Sequence, residues 1–340
     1  MSSLRRIAAR WVSEATGRSG LLELIRATRR RRGDYRVFIL EYHDLVSRGN
    51  EPEGTVTKER FHRHLRFLKD RCRLVTLSEA VDRLREATPL AEDLAVITFD
   101  DGTHGNYETA WPVLKEEEIR ATIFATTGFL DGAELWFDLA RRCLEAARGI
   151  QLPKPMVGEL AAVLGRDWTT GDPEAAVERL KVLPPEERDA FLARFRAACP
   201  LLPPPRVPLT WDQVREMHAA GIEIGCHTVS HPILSTLPPV RQEEEITRAR
   251  LRIAEEIGEA PTLFAYPNGA AGDYDDATQS ILRRTGFAAA CTTLRGSNRP
   301  GCDLYQLKRI GVGADSEYFL DARLAGLFDE GVRAYLPGAP

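Results

Sequence analysis

The sequence predicts an α/β fold built on a parallel sheet, and two observations favour this fold class. Seven short apolar runs rich in β-branched and aromatic residues follow one another from Val37 onward, and amphipathic helical patterns separate them. Strands that alternate with helices in this way form parallel βα units. Seven such strands fit either a closed barrel or an open doubly wound sheet, and periodicity alone does not choose between the two.

The elements follow in order along the chain. The predicted strands are residues 37–42, 94–99, 121–126, 222–226, 263–267, 287–293 and 307–312. The helices predicted between them are residues 57–70, 78–86, 107–118, 211–219, 239–257 and 276–285. Thr210 is followed three residues later by Gln213, a capping-box pair that predicts the start of the helix at residue 211.

Two segments lie outside this alternation. Residues 138–208 show helical patterns, at 174–181 and 186–198, but no good strand, and residues 151–208 contain 10 of the 21 prolines. We interpret about 138–208 as a helical insertion that forms a lid, a side wall or a spacer. Residues 1–36 contain ten arginines and three acidic residues, and we interpret them as a basic helical N-terminal extension. A helix packed against the main domain is favoured over an amphipathic helix on an anionic membrane, because the apolar positions are few.

The overall composition is that of a soluble globular protein. Lysine and arginine number 46 against 50 aspartate and glutamate, and the resulting net charge of −4 argues against general nucleic-acid binding. No apolar run is long enough to span a membrane, and the first residues lack the apolar stretch and cleavage site of a secretion signal. The six cysteines form no CxxC pair, which argues against a zinc ribbon or a disulfide framework. We therefore expect a cytoplasmic protein.

Two pairs of polar residues follow apolar strands and are candidates for a metal site. Asp100 and Asp101 end the second predicted strand, and α/β folds bind ligands at strand C-termini. Two adjacent carboxylates repel each other, and a cation relieves this repulsion. His227 and His231 follow the fourth predicted strand, and imidazoles at i and i+4 of a helical loop can reach one metal. Each motif alone is also typical of an ordinary turn, but Asp101, His227 and His231 together would form an open two-histidine, one-carboxylate site.

Two further turns belong to the same predicted edge of the sheet. The run Phe264-Ala265-Tyr266-Pro267-Asn268-Gly269 ends a strand in a turn whose N–H groups can stabilise an oxyanion, although an ordinary turn has the same pattern. His43 ends the first strand, where an imidazole can act as a general acid near neutral pH or can simply be a surface histidine. We expect the helical histidines His62, His64 and His218 to be exposed to solvent.

Together these residues resemble one family closely, the polysaccharide deacetylases of carbohydrate esterase family 4. Thr98-Phe99-Asp100-Asp101-Gly102 is similar to the family's first motif, His227-Thr228-Val229-Ser230-His231 to its second, and Tyr266-Pro267-Asn268-Gly269 to a variant of its third. The motif set is closest to the branch resembling poly-N-acetylglucosamine deacetylases. The resemblance covers about residues 37–313 and implies a distorted (β/α)7 barrel over residues 37–340, with the helical insertion and the N-terminal extension added to it.

The resemblance also implies a role for each motif residue. Asp101, His227 and His231 would bind a divalent metal, commonly Zn²⁺, with Co²⁺, Ni²⁺ or Mn²⁺ as alternatives. The metal would activate a water that attacks the amide carbonyl, with Asp100 as the general base and the N–H of Asn268 as an oxyanion donor. His43 follows Tyr42 in a segment similar to the one that supplies the general acid in poly-N-acetylglucosamine deacetylases.

Two departures from the family pattern affect these roles. Ala265 stands where the third motif has an arginine that braces the base, so the sequence leaves the pKa of Asp100 open. No histidine follows His231, so the usual C-terminal Leu-x-His cannot supply the acid, and His43 is the candidate in its place.

These residues predict a metal-dependent N-deacetylase acting on an N-acetylated sugar of an exopolysaccharide, capsule or glycolipid precursor, with the basic N-terminus as a weak contact to the inner face of the membrane. Tyr266, Pro267 and Trp136 are the predicted substrate contacts, because aromatic faces stack on sugar rings, although each aromatic could equally lie in the core. The alternatives are an amidohydrolase acting on a non-sugar amide or cyclic imide, and a non-catalytic glycan-binding scaffold.

Overall fold

A closed barrel of seven parallel strands forms the centre of the part of the chain that the structure describes. The computed structural model describes residues 20–46, 56–165, 168, 172–201, 203–204, 206–313 and 316–326. The strands are β1 (Val37–Tyr42), β2 (Leu45–Val46), β3 (Val56–Thr57), β4 (Arg73–Leu74), β5 (Leu94–Phe99), β6 (Thr122–Ala125), β7 (Glu223–Cys226), β8 (Leu263–Ala265), β9 (Ala289–Arg295) and β10 (Leu307–Gly311). All seven strands predicted from the sequence are present.

The pairing of β1 shows that the sheet is closed. On one side β1 pairs with β10, Leu40 opposite Ile310, and on the other it pairs with β5 along its whole length, from Val37 opposite Leu94 to Tyr42 opposite Phe99. The ring therefore runs β1-β10-β9-β8-β7-β6-β5, with the short β4 attached to β5. This arrangement confirms the predicted seven-stranded barrel and excludes the open sheet.

Helices surround the barrel and fill the connections between its strands. They are α1 (Leu21–Arg31), α2 (Lys58–Lys69), α3 (Leu77–Arg85), α4 (Trp111–Glu116), α5 (Thr127–Leu130), α6 (Trp136–Arg148), α7 (Lys154–Leu164), α8 (Pro173–Lys181), α9 (Pro185–Ala197), α10 (Trp211–Ala219), α11 (Pro239–Ile257), α12 (Asp276–Arg284) and α13 (Glu317–Leu324). A π-helical turn, Asn106–Ala110, leads into α4. The predicted capping box at Thr210 and Gln213 is present and starts α10.

Alternation along the strands divides the core into two layers. In β1, Phe38, Leu40 and Tyr42 pack outward against the surrounding helices, whereas Val37 and Ile39 pack inside the barrel. Both faces are covered, so every residue of β1 and β5 is buried. Side chains that follow the inward positions toward the carboxyl ends of the strands therefore point into the mouth of the barrel.

Helices α6 to α9, between β6 and β7, have a hydrophobic core of their own. Its buried members come from α6 to α9 and the segments between them: Trp136, Ala140, Cys143, Leu144, Ala147, Leu152, Met156, Leu160, Leu164, Trp168, Ala176, Val177, Leu180, Phe191, Leu192 and Phe195. These four helices lie in the segment interpreted as a helical insertion. The insertion is thus stabilised largely by contacts among its own helices.

Helix α1 packs against the rest of the chain through buried arginines. Arg29 donates to both carboxylate oxygens of Asp93, at 2.8 and 2.7 Å, and Arg26 pairs with Asp321. These cations already have intramolecular partners, which fits a docked helix. Residues 1–19 of the predicted N-terminal extension lie outside the described residues. No helix in the described ranges is long and apolar enough to cross a membrane. Membrane contact and cellular location stay predictions.

Candidate active site

A cavity of about 610 Å³ opens at the carboxyl ends of the barrel strands. The barrel contributes the ends of β1, β5 and β7 and the turn after β8, and the insertion contributes a wall on one side. Of the residues predicted to act in the site, Asp100, Asp101, His43, His227, His231, Asn268 and Trp136 line this cavity. The sheet therefore brings together side chains that are up to 225 positions apart in the sequence, as expected for parallel strands that end at one edge.

Asp101 stands at a sharp turn directly after β5. Asp101 and Gly102 have φ angles of 73° and 81°, so the backbone reverses through two consecutive left-handed residues. The turn is held by a hydrogen bond from Thr126 N–H to the Asp101 carbonyl oxygen, at 3.2 Å. Asp101 is buried, and its Oδ1 has no hydrogen-bond partner among the described residues. An unpartnered carboxylate oxygen in a buried position is costly unless a cation binds it.

Two imidazoles face this unpartnered oxygen. Asp101 Oδ1 lies 3.7 Å from His227 Nε2 and 3.5 Å from His231 Nε2, and the two rings meet edge to face at 4.8 Å. The Nδ1 of His227 lies 2.7 Å from the carbonyl oxygen of Ala265, which assigns the proton to Nδ1 and leaves the Nε2 lone pair free. Burial lowers the pKa of His231 to about 3, so its ring is neutral at pH 7.

These three groups fit a divalent metal ion. One ligand atom from each of Asp101, His227 and His231 lies within 4.8 Å of the others, and all three residues are buried. Two neutral imidazole nitrogens and one carboxylate oxygen are the donor set of an open, catalytic transition-metal site. Burial by itself raises the pKa of Asp101, but its electrostatic surroundings, the charge of Arg206 first among them, hold the pKa well below its ordinary value, so the ligand is ionised.

Asp100 is braced by an arginine that is not among the site residues predicted from the sequence. Arg309 on β10 is fully buried and donates through Nη1 and Nη2 to the two oxygens of Asp100, each at 2.7 Å. Its Nε donates to the carbonyl oxygen of Thr292 at 2.8 Å and lies 3.3 Å from Glu41 Oε2. Burial alone raises the pKa of Asp100, but the charge and hydrogen bonds of Arg309 lower it more, so the carboxyl stays ionised.

The arginine missing at Ala265 is thus replaced in space by Arg309 from another strand. A signal for it was present in the sequence, because Arg309 follows Leu307 by two positions and so shares the inward face of its strand. A charged residue on the inside of a barrel needs an ionic partner. The family motif indicates only position 265, so Arg309 is not among the site residues predicted from the sequence.

His43 lies at the end of β1 beside the same carboxylates. Its side chain is 53% exposed and its Nε2 lies 3.8 Å from Glu41 Oε1. Ligand atoms of Glu41, His43 and Asp100 all lie within 4.8 Å of one another. The carbonyl oxygen of His43 accepts a hydrogen bond from Asn106 Nδ2 at 2.8 Å, which anchors its backbone. His43 therefore reaches the cavity with its ring accessible to a bound molecule.

Asn268 presents a free backbone donor at the cavity. Its φ angle is 61°, and within the described ranges its N–H has no hydrogen-bond acceptor. The side chain is held on both sides, because Lys181 Nζ donates to Asn268 Oδ1 at 2.9 Å and Asn268 Nδ2 donates to Asp273. Lys181 belongs to the insertion, so this contact links α8 to the turn after β8.

The aromatic residues proposed as substrate contacts have other partners. Tyr266 is fully buried, stacks on Tyr274 at 4.1 Å and donates its hydroxyl hydrogen to the carbonyl oxygen of Tyr305. The expectation that Tyr266 offers a face to the substrate is therefore wrong, because Tyr266 lies two positions after Phe264 and packs with it in the outer layer of the core. Pro267 is buried as well and is absent from the cavity lining.

Trp136 lies at the cavity wall, where it supports a candidate metal ligand. Its indole N–H donates to the carbonyl oxygen of His231 at 3.0 Å, and the Arg188 guanidinium covers the ring at 4.3 Å. Its side chain is almost completely buried. Contact with a sugar remains a prediction for Trp136, whereas its contact with the His231 backbone is a feature of the fold.

Comparison with known proteins defines the class to which this fold and site belong. The model of the polysaccharide deacetylase family matches residues 87–290, which is more than half of the chain. The chain belongs to the polysaccharide deacetylase family. The match includes Asp100, Asp101, His227 and His231, and it ends before Arg309.

Individual relatives agree with this assignment. The chain is 25% identical over 275 residues to YxkH of Bacillus subtilis (strain 168), whose name places it provisionally among polysaccharide deacetylases; the match covers 81% of this chain and 70% of YxkH. The fold is similar to that of the Streptococcus pyogenes deacetylase PplD, with a TM-score of 0.57, 20% identity and coverage of 84% and 96% of the two chains. It is also similar to IcaB from Ammonifex degensii, with a TM-score of 0.56, 23% identity and coverage of 86% and 97%.

Proposed function

We propose that this protein is a metal-dependent N-deacetylase that hydrolyses the acetamide of an N-acetylated sugar. One observation carries the proposal: a carboxylate kept ionised by a buried arginine, Asp100, lies next to a two-histidine, one-carboxylate group in the same cavity. A proton acceptor beside an open metal site is the arrangement required to hydrolyse an unreactive amide.

Each residue of the cavity has a role that follows from its contacts. Asp101, His227 and His231 would hold a divalent cation, which supplies Lewis-acid polarisation of the amide carbonyl and lowers the pKa of a water. Asp100 accepts the proton of the attacking water. The free N–H of Asn268 donates to the substrate oxygen as negative charge develops on it. His43, accessible at the rim, donates a proton to the departing nitrogen, so that the C–N bond breaks and acetate and an amine are released.

The family and its relatives support a carbohydrate as the substrate. An exopolysaccharide, capsule or glycolipid precursor that contains N-acetylated sugars is the proposed class. The cavity volume of about 610 Å³ is within the range of pockets that bind small organic ligands, and it can receive a sugar unit. The mixed nitrogen and oxygen donors suit Zn²⁺, and Co²⁺, Ni²⁺ and Mn²⁺ bind such sites as well.

Acetate release from N-acetylglucosamine oligomers tests this function. The metal-loaded protein is expected to release acetate, the chelated protein to release none, and Asp100→Asn to lose roughly 10²–10⁴-fold in rate while it still binds metal. His218→Gln, a helical histidine outside the cavity, serves as the matched control. Stoichiometric metal binding without acetate release would overturn the sugar substrate and favour a non-sugar amide. If Asp100→Asn keeps both wild-type activity and metal binding, Asp100 is not the base.

A further inference from the structure

The insertion reaches the candidate metal site through Arg206. Its Nη2 donates to Asp101 Oδ2 at 2.6 Å, and its Nη1 donates to Asp138 Oδ2 at 3.2 Å. Asp138 belongs to α6, at the start of the insertion, and Arg206 lies near the point where the chain returns to the barrel. The guanidinium therefore connects a barrel carboxylate to both ends of the insertion.

The two oxygens of Asp101 are in different situations because of this contact. Oδ2 is occupied by Arg206, whereas Oδ1 lacks a hydrogen bond within the described ranges and faces the Nε2 atoms of His227 and His231. A carboxylate held through one oxygen cannot rotate freely about its terminal bond. The contact thus selects Oδ1 as the oxygen available to a cation.

A guanidinium so close to a metal site could repel the metal, and the surroundings of Arg206 oppose this effect. Asp138 compensates the charge of Arg206, and it also accepts a hydrogen bond from Arg141 Nη1 at 3.0 Å. Arg206 lies between the carboxylates of Asp101 and Asp138, which offset its charge, and its directional hydrogen bond to Asp101 adds orientation to its electrostatic effect.

The insertion contacts a second ligand independently. Trp136 donates to the carbonyl oxygen of His231, and the ring of Phe137 packs edge to face against the His231 imidazole at 5.1 Å. Two of the three candidate ligands, Asp101 and His231, are therefore held by Arg206 and by the first turn of α6.

We propose that Arg206 is a positioning residue that orients Asp101 for metal binding, so that the helical insertion completes the metal site of the barrel. This inference rests on the metal site of the proposed function, although it does not depend on which amide is hydrolysed. It gives the insertion a role in metal affinity in addition to its role as a cavity wall.

Metal affinity of the full-length protein tests the proposal directly. Zn²⁺ titration by calorimetry, with a competing chelator, compares the wild type with Arg206→Met, which keeps the length of the side chain but removes its donors. We expect the affinity to fall by about 10–100-fold, the usual cost of losing a group that orients a metal ligand. Arg194→Met, in an exposed pair with Glu159 elsewhere in the insertion, is the matched control and is expected to bind like the wild type.

A second variant separates orientation from charge and also covers a failure of Arg206→Met to fold. Arg206→Lys keeps the positive charge but replaces the planar pair of donors by a single ammonium group. We expect an affinity between those of the wild type and Arg206→Met, with a shift in the visible spectrum of the Co²⁺-loaded protein that reports altered ligand geometry. Wild-type affinity and spectrum in Arg206→Lys would show that charge alone matters and would overturn the proposal.

Three further results of these measurements would also decide for or against the proposal. Unchanged or tighter Zn²⁺ binding by folded Arg206→Met would overturn the proposal, because Arg206 would then compete with the metal. A wild type that binds no metal would remove both this inference and the proposed metal chemistry. Weaker binding by Arg206→Met in a protein that releases no acetate would support the positioning role while the proposed function fails.

Discussion

The barrel and the helical insertion both line the candidate active site, but the barrel does so with residues at its strand ends and the insertion largely with long side chains. The barrel places His43, Asp100, Asp101 and His227 at or just beyond the carboxyl ends of its strands, where the backbone register fixes their mutual positions. The insertion has its own hydrophobic core and contacts the site through long side chains such as Arg206 and Lys181. The proposed chemistry therefore lies on the barrel, and the insertion adjusts the groups that the barrel presents.

The largest effect is expected when the barrel loses Arg309. In Arg309→Met, two buried carboxylates, Asp100 and Glu41, lose their cationic partner, which costs about 3–5 kcal/mol of folding free energy. Thermal unfolding measures this loss. The double variant Asp100→Asn, Arg309→Met is expected to be more stable than Arg309→Met alone, because it removes one of the uncompensated charges. Arg284→Met, in an exposed pair on α12, is the control.

A second substitution at Arg309 is expected to change the pH dependence of activity. Arg309 lowers the pKa of Asp100 and burial raises it, so the pKa must rise when Arg309 is removed. Activity requires the ionised base, so the acidic limb of the pH–rate profile is expected to move to higher pH in Arg309→Lys, which keeps a charge but not the paired hydrogen bonds. An unmoved acidic limb would show that Asp100 is not the group that titrates there.

A large catalytic effect with little effect on stability is expected at His43. The imidazole is the proposed proton donor to the leaving nitrogen, and its side chain is largely exposed. His43→Ala is expected to lower kcat by roughly 10²–10³-fold and to change the unfolding free energy by less than about 0.5 kcal/mol. Steady-state kinetics and thermal unfolding measure the two quantities. A kcat within twofold of the wild type would assign the acid to another residue.

The contrast between the two regions also explains what the sequence could predict. The barrel strands and the convergence of Asp101, His227 and His231 were predictable, because short apolar runs rich in β-branched residues mark buried strands, and parallel strands bring their carboxyl ends to one edge. Arg206 was not, because it lies in an irregular segment between α9 and α10, where no periodicity indicates which way a side chain points. His64 shows the same limit: it was expected in solvent, yet it is fully buried and lies 3.3 Å from the Tyr42 hydroxyl, since α2 turns this position toward β1.

The smallest effect is expected at the link between the insertion and the turn after β8. Lys181→Met removes the hydrogen bond to Asn268 Oδ1 but leaves Asn268 anchored by Asp273, so the N–H donor keeps most of its orientation. A hydrogen bond at a partly exposed position contributes about 0.5–1.5 kcal/mol, which corresponds to a loss of roughly 2–10-fold in kcat/KM.

Kinetics on the proposed substrate measure the effect of Lys181→Met, and Lys154→Met, at the exposed start of α7, is the control. We also expect Lys181→Met to change catalysis without changing metal binding. If the insertion only adjusts what the barrel presents, Lys181→Met changes kcat/KM while the Zn²⁺ affinity stays at the wild-type value, because Lys181 contacts none of the three candidate metal ligands. A loss in Lys181→Met as large as that of His43→Ala would contradict the difference between the two regions, because the insertion would then carry part of the chemistry itself.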